Sequence, residues 1–137
     1  MLGDSNPDKI FVWLGFNDKP LERTKAQFKS DMESIIDDLK THCPNADIIL
    51  LTHHDAGTGA NNDEQYIEYD DVIDEYDDAL REIQDAISTV SLIDIDHVAY
   101  DRYYGRNTIP IYNDSVHYGT GFGATFVNTY IIEALYD

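Results

Sequence analysis

Three short apolar runs, separated by two amphipathic segments, constrain the fold of this 137-residue chain more than any other feature of its sequence. The runs read KIFVWLG at 9–15, ADIILLTHH at 46–54 and SLIDID at 91–96. The first two are continuous apolar runs, which are typical of a strand that is buried on both faces, as in a parallel sheet, and SLIDID is predicted as a third strand. We therefore predict three parallel strands.

The segments between these runs show helical periodicity. Between Thr24 and Thr41, over 69–88 and again over 120–136, apolar residues recur every three or four positions, which predicts amphipathic helices. The apolar stripes are Phe28, Met32, Ile35, Ile36 and Leu39; Val72, Ile73, Tyr76, Leu80, Ile83 and Ile87; and Phe122, Phe126, Val127, Tyr130, Ile131 and Leu135. The predicted order is βαβαβ, then a long loop, then a last helix.

This order predicts a parallel α/β sheet with helices on both faces. In such sheets the chemistry takes place at the carboxyl ends of the strands. Three segments follow the predicted strands, namely GFND at 15–18, THHDAGTG at 52–59 and the loop that leads to NDSVHYGTG at 113–121. We expect any functional site to be built from these three segments.

Two of these segments carry a family resemblance. PDKIFVWLGFND, at 7–18, resembles the block of the SGNH or GDSL hydrolases in which a buried strand ends in Gly-x-Asn-Asp. NDSVHYGTGFGATFVNTYIIEAL, at 113–135, resembles the closing Asp-x-x-His block that precedes the C-terminal helix of that family. The resemblance implies a three-layer αβα fold with a parallel, flavodoxin-like sheet. It implies one SGNH-hydrolase-like domain over 1–137, corresponding to the C-terminal portion of the fold without its first strands.

The resemblance also implies roles for four residues. Asp114 would orient and stabilise His117, which would remove the proton from a serine. Asn17 would donate its side-chain amide to the oxyanion of a tetrahedral intermediate, with Gly15 in the same oxyanion or substrate-binding turn. The activity implied is that of a serine esterase or acylhydrolase acting on small esters or O-acylated carbohydrate. Taken singly, Asp114 and Asn17 are better explained as turn residues and His117 as a surface histidine, and the catalytic interpretation depends on their occurring together at one sheet edge in the order of the family.

Ser5, in the tripeptide Gly-Asp-Ser at 3–5, resembles the nucleophile of the same family, but its position argues against that role. Ser5 precedes the first predicted strand, whereas Asn17 follows it. An extended strand rises ~3.3 Å per residue, so the two residues should lie on the order of 20 Å apart. We expect Ser5 to belong to a turn and the nucleophilic serine to be missing or supplied by another chain.

The partner of the chain is predicted from the first strand. Without the strands that pair with it in the family, KIFVWLG would present an apolar sheet edge to water. We expect a complementing polypeptide, or a homo-oligomer joined through that edge. A split enzyme, a processed fragment and a non-catalytic SGNH-like binding or assembly module all remain open, and the sequence leaves localisation unknown.

Charge and side-chain spacing exclude other classes of partner. The chain has 27 acidic and 9 basic residues and a net charge of -18, which disfavours binding to nucleic acid and to anionic membranes.

No cofactor and no metal is predicted, because His53, His54 and Asp55 lack a second ligand pair with zinc spacing. For these three residues a substrate-loop or packing role is expected. We interpret the acidic set Asp70, Asp71, Asp74, Glu75, Asp77 and Asp78 as a solvated helix face.

Overall fold

The structure, a computed structural model, describes residues 6–53 and 64–95 and, near the carboxyl terminus, residues 128, 129, 131–133 and 136. Its elements in chain order are β1 (Lys9–Val12), a 3-10 helix (Phe16–Leu21), α1 (Lys25–His42), β2 (Asp47–Leu51), α2 (Glu64–Ala86) and β3 (Val90–Ile93). The described residues of the last segment are helical. The predicted βαβαβ order is confirmed.

The three strands form one parallel sheet in the order β1-β2-β3. Lys9 pairs with Asp47 in one ladder, and Ile48 pairs with Val90 in the other. The expectation of burial on both faces holds for β2, where four consecutive residues are buried. It is wrong for β1, which lies at one side of the described sheet and buries only Val12. An outer strand is covered less completely than a central one by the helices that flank the sheet.

Helix α1 begins and packs as its sequence dictates. Thr24 is the N-cap, and its side chain and main-chain N–H form a reciprocal capping box with Gln27. Three apolar residues on successive turns, Phe28, Met32 and Ile36, are buried. The helix therefore turns this stripe towards the sheet and leaves its polar side to solvent.

Helices α1 and α2 pack on the same face of the sheet. The core cluster combines side chains from both helices with alternate residues of the three strands: Val12, Phe28, Met32, Ile36, Ile48, Leu50, Ile73, Tyr76, Ala79, Leu80, Ile83 and Val90. Ile49 and Leu51 point to the opposite face of β2 and are buried as well. The central strand is thus covered on both sides.

Aromatic and ionic contacts join the two helices. The rings of Phe28 and Tyr76 stack with centroids 4.4 Å apart, and the Tyr76 hydroxyl donates to the Arg23 carbonyl at 2.6 Å. On the surface, Lys25 and Lys29 both contact the Glu82 carboxylate, at 2.8 and 2.7 Å. Among the described residues, no helix is long and apolar enough to cross a membrane.

Candidate functional site

The turn that follows β1 has a backbone that only glycine adopts readily. Gly15 has a φ of 126°. A Cβ at this position would lie 2.6 Å from Cε2 of Phe28 and 2.8 Å from Nε2 of His53, both of which are too close. Next along the chain, the Asp18 N–H donates to the Gly15 carbonyl at 2.8 Å and closes the first turn of the 3-10 helix. Asn17 is thereby held within a short, closed turn.

A cavity of about 680 Å³ opens beside this turn. Gly15 and Asn17 both line it, and Asn17 is exposed to solvent. The remaining lining residues are mainly apolar: Trp13, Leu14, Phe16, Asp18, Leu21, Arg23, Phe28, Asp31, Met32, Ile35 and His53. Arg23 and Asp31 form an ion pair within this lining. The structure thus places the predicted Gly15 and Asn17 together, in a concave and largely apolar setting of the kind that binds small molecules.

His53, which follows β2, forms a buried pair with Asp77 of α2. Only 1% of each side chain is exposed. His53 Nδ1 lies 2.6 Å from Oδ1 of Asp77, and the His53 main-chain N–H donates to both carboxylate oxygens, at 2.9 and 3.1 Å. The carboxylate therefore holds the strand end and the imidazole at the same time.

The other ring nitrogen of His53 reaches the turn after β1. Nε2 lies 2.8 Å from the carbonyl oxygen of Leu14, and it is also the atom that a Cβ on Gly15 would meet. The rings of Phe16 and Phe28 flank the imidazole, each with its centroid 6.2 Å away. Asp77, His53 and Leu14 thus link α2 to the Gly15 turn through the end of β2.

The interpretation of Asp77 as part of a solvated face is wrong. Asp74, Glu75 and Asp78 are exposed as expected, but Asp77 is buried against His53. Helical spacing was the signal that sequence analysis missed, because Asp77 lies four residues after Ile73 and three before Leu80, within the apolar stripe. A buried carboxylate requires a partner, and His53 supplies it.

The burial and pairing of His53 agree with the packing role expected for it. No group of three or more potential metal ligands occurs among the described side chains. His54 and Asp55, the neighbours of His53 in the sequence motif, lie outside the described residues.

The predicted catalytic pair, Asp114 and His117, also lies outside the described residues, as does Ser5. Their predicted roles are therefore untested by the structure. The structure does show the contacts that are made where the chain leaves β3. Asp94, directly after β3, accepts two hydrogen bonds from the Arg81 guanidinium, at 2.8 and 3.0 Å, and one from the Thr52 hydroxyl at 3.3 Å. These bonds fix the carboxyl ends of β2 and β3 to α2.

The family of the chain follows from its match to a known sequence model. The sequence model described as "GDSL-like Lipase/Acylhydrolase family" matches residues 1–119. The chain belongs to the GDSL-like lipase/acylhydrolase family. The match includes all four predicted site residues, Gly15, Asn17, Asp114 and His117. No curated protein matches the chain.

Solved structures confirm the GDSL/SGNH fold. An acetyl xylan esterase superposes with a TM-score of 0.77 at 21% identity, covering 94% of this chain and 67% of its own. A carbohydrate esterase family 3 protein from Talaromyces cellulolyticus gives 0.72 at 16% identity, covering 98% and 59%. A protein from Streptococcus pneumonia gives 0.76 at 21% identity, covering 93% and 59%. The predicted αβα fold is therefore confirmed, and the chain spans 59% of the length of two of these structures.

Proposed function

We propose that this chain is part of a serine esterase or acylhydrolase of SGNH type that acts on small esters or O-acylated carbohydrate. One observation carries the proposal, namely that Asn17 and Gly15 lie together on the wall of a cavity at the carboxyl end of β1. Reactions in open α/β sheets take place at this edge. Two structurally similar proteins are described as an acetyl xylan esterase and a carbohydrate esterase, which supports a substrate of that class.

In this proposal Asn17 stabilises the negative charge that develops during acyl transfer. Its side-chain amide has two N–H donors, and its place in a closed turn limits the reorganisation needed when an oxyanion forms. One such donor is worth ~3 kcal/mol of barrier in comparable sites. Asp114 and His117 complete the proposed machinery, with the carboxylate orienting the imidazole that removes the proton from the serine.

We assign the nucleophilic serine to a complementing polypeptide that pairs beside β1. Among the described residues, β1 has a strand neighbour only on its β2 side. Leu14 and Leu21, which line the cavity near that strand, are 51% and 70% exposed. Exposed large apolar side chains favour association with another polypeptide. A homo-oligomer joined through the same edge is the alternative occupant.

The test is a serine-directed fluorophosphonate probe combined with a short-chain aryl ester assay. Both are applied to the tagged chain purified from its native cells with whatever is bound to it. We expect a labelled serine on the bound polypeptide and ester turnover in the same fraction. His117→Ala should abolish both, with a loss of ~10⁴-fold or more in turnover, because the base that activates the serine is gone.

His42→Ala is the matched control, since His42 is exposed at the end of α1. It should leave labelling and turnover unchanged. Labelling at Ser5 would contradict the assignment of the nucleophile to another chain. Equal turnover in the wild type and His117→Ala would contradict the proposed catalytic pair, and a complex with no turnover on acetyl, butyryl or acylated-sugar esters would favour a non-catalytic binding module.

A further inference from the structure

His53 is held in one orientation by groups on two sides. Its ring is 1% exposed, Asp77 of α2 engages Nδ1, and the Leu14 carbonyl engages Nε2. Turning the ring over would place carbon atoms against both oxygens and lose both contacts. The imidazole is thus a rigid link between α2 and the residue that precedes Gly15.

The hydrogen atoms in this link follow from the types of its atoms. A carbonyl oxygen only accepts, so the hydrogen of the Nε2 contact belongs to His53. A second hydrogen must lie between Nδ1 and Oδ1 of Asp77, whose separation is 2.6 Å. Whichever of the two atoms carries that second hydrogen, Nε2 remains a donor to Leu14.

Because the peptide bond is planar, the hydrogen bond from His53 to the Leu14 carbonyl also fixes the direction of the Gly15 N–H. The described residues contain no cis peptide bond. In a trans peptide the C=O and N–H groups point in opposite directions. Because the Leu14 carbonyl points at His53, the Gly15 N–H of the same peptide points away from His53. That N–H has no hydrogen-bond acceptor among the described residues.

We propose that His53 is a positioning residue that fixes the Leu14–Gly15 peptide so that the Gly15 N–H serves as an oxyanion donor beside Asn17. Asp77 holds His53 in place, and Gly15 packs against the imidazole without a Cβ between them. His53 does not touch the substrate in this assignment. The proposal rests on the proposed esterase function for its catalytic meaning, while the positioning itself is a property of the folded chain.

Two amide substitutions of similar size separate the contacts that His53 makes. In His53→Gln the amide nitrogen lies near the place of Nε2 and keeps a donor for Leu14. In His53→Asn the amide is one methylene shorter, so it keeps a donor for Asp77 and cannot reach Leu14. Ile83→Val is the control for general loss of packing, because Ile83 is fully buried on α2 and absent from the contacts of this turn.

The first readout is nuclear magnetic resonance of the ¹⁵N-labelled chain. His53→Asn should shift the Gly15 amide signal and speed the exchange of the Asp18 N–H, which closes the turn, on the order of tenfold. His53→Gln should leave both close to their wild-type values. If His53→Asn changes these two signals no more than Ile83→Val does, or if the Gln and Asn variants behave alike, the positioning role is overturned.

The second readout is ester hydrolysis by the purified complex. Misplacement of one oxyanion donor should lower kcat about 10²-fold in His53→Asn with KM unchanged, and His53→Gln should recover most of the loss. An increase in KM at constant kcat would overturn the proposal. If the wild-type complex hydrolyses no ester, the proposed function fails, whereas the resonance measurements still decide whether His53 positions Gly15.

Discussion

The Asp77 carboxyl group accepts a hydrogen bond from the main-chain N–H of His53 and shares another with Nδ1 of the His53 ring, at 2.9 and 2.6 Å for Oδ1. Asp77 belongs to α2 and His53 follows β2, so a single buried side chain fixes the end of the central strand to the helix. The same strand end contacts the Gly15 turn through Leu14. The stability of the candidate site therefore depends on a carboxylate that lies outside the cavity.

Replacement of this carboxylate should be costly. Asp77→Ala leaves the buried main-chain N–H and ring Nδ1 of His53 without their hydrogen-bond partner, and we expect the free energy of unfolding to fall by about 3 kcal/mol. Asp85→Ala, at an exposed position on the same helix, should change it by less than about 0.5 kcal/mol. Urea unfolding followed by circular dichroism measures both. Equal effects of the two substitutions would contradict a structural role for the Asp77 carboxylate.

Gly15→Ala should destabilise the chain for two reasons that can be separated. The φ of 126° is unfavourable for alanine, and the added Cβ meets the Phe28 ring at 2.6 Å. We expect the two effects together to lower the free energy of unfolding by at least about 2 kcal/mol. In a Phe28→Leu background the contact is absent and the loss caused by Gly15→Ala should be smaller. A double-mutant cycle from denaturant unfolding measures the coupling, and a coupling of zero would show that the Phe28 contact is unimportant.

Asn17→Ala should affect catalysis and not stability. Loss of an oxyanion donor should lower kcat by ~10²- to 10³-fold with KM little changed, since the donor acts on charge that develops after binding. Asn45→Ala removes the same side chain from an exposed turn before β2, at the opposite edge of the sheet, and serves as the control. Steady-state kinetics of the complex provide the measurement. The role of Asn17 would be ruled out if both variants retained wild-type kcat.

The stabilising contribution of Glu82 should be lost at acid pH. Its hydrogen bonds to Lys25, and secondarily to Lys29, lower its pKa from 4.5 to about 2. A group whose pKa is lower in the folded chain than in the unfolded chain stabilises the folded state at pH values above its unfolded pKa. That stabilisation is lost as the pH falls through the folded pKa. The Tm advantage of the wild type over Glu82→Gln should thus be present above pH 4.5 and disappear towards pH 2. Thermal unfolding across this range tests it, with Asp85→Asn as the control for loss of one negative charge.

The stabilising contribution of Lys25 has the opposite pH dependence. Its pKa is raised above 10.5, chiefly by the hydrogen bond to Glu82. A group whose pKa is higher in the folded chain than in the unfolded chain stabilises the folded state below its unfolded pKa. That stabilisation is lost as the pH rises through the folded pKa. Lys25→Met should therefore lower Tm at neutral pH and have a smaller effect at strongly alkaline pH. Because both partners are exposed, the effects should also weaken at high salt.

Local sequence patterns determined the order and type of the elements. The apolar runs predicted β1, β2 and β3, and the stripe that contains Phe28, Met32 and Ile36 predicted α1, because strand and helix periodicity follow directly from backbone geometry. The Gly-x-Asn-Asp pattern likewise brought Gly15 and Asn17 to the strand end, where the structure places them. These inferences need only neighbouring residues and the general rules of parallel sheets.

Only the tertiary structure decided the partners of His53 and the surroundings of Gly15. Asp77 is 24 positions from His53, and Leu14 is 39 positions away, so no local pattern joins them. The spacing of Asp77 along α2 places it within the apolar stripe, but which group it meets in the interior depends on how α2 packs in the fold. The sequence by itself determined which residues form strands and helices, since that depends on spacing along the chain. Which polar groups meet in the interior depends on how the elements pack, and every buried donor there must find an acceptor.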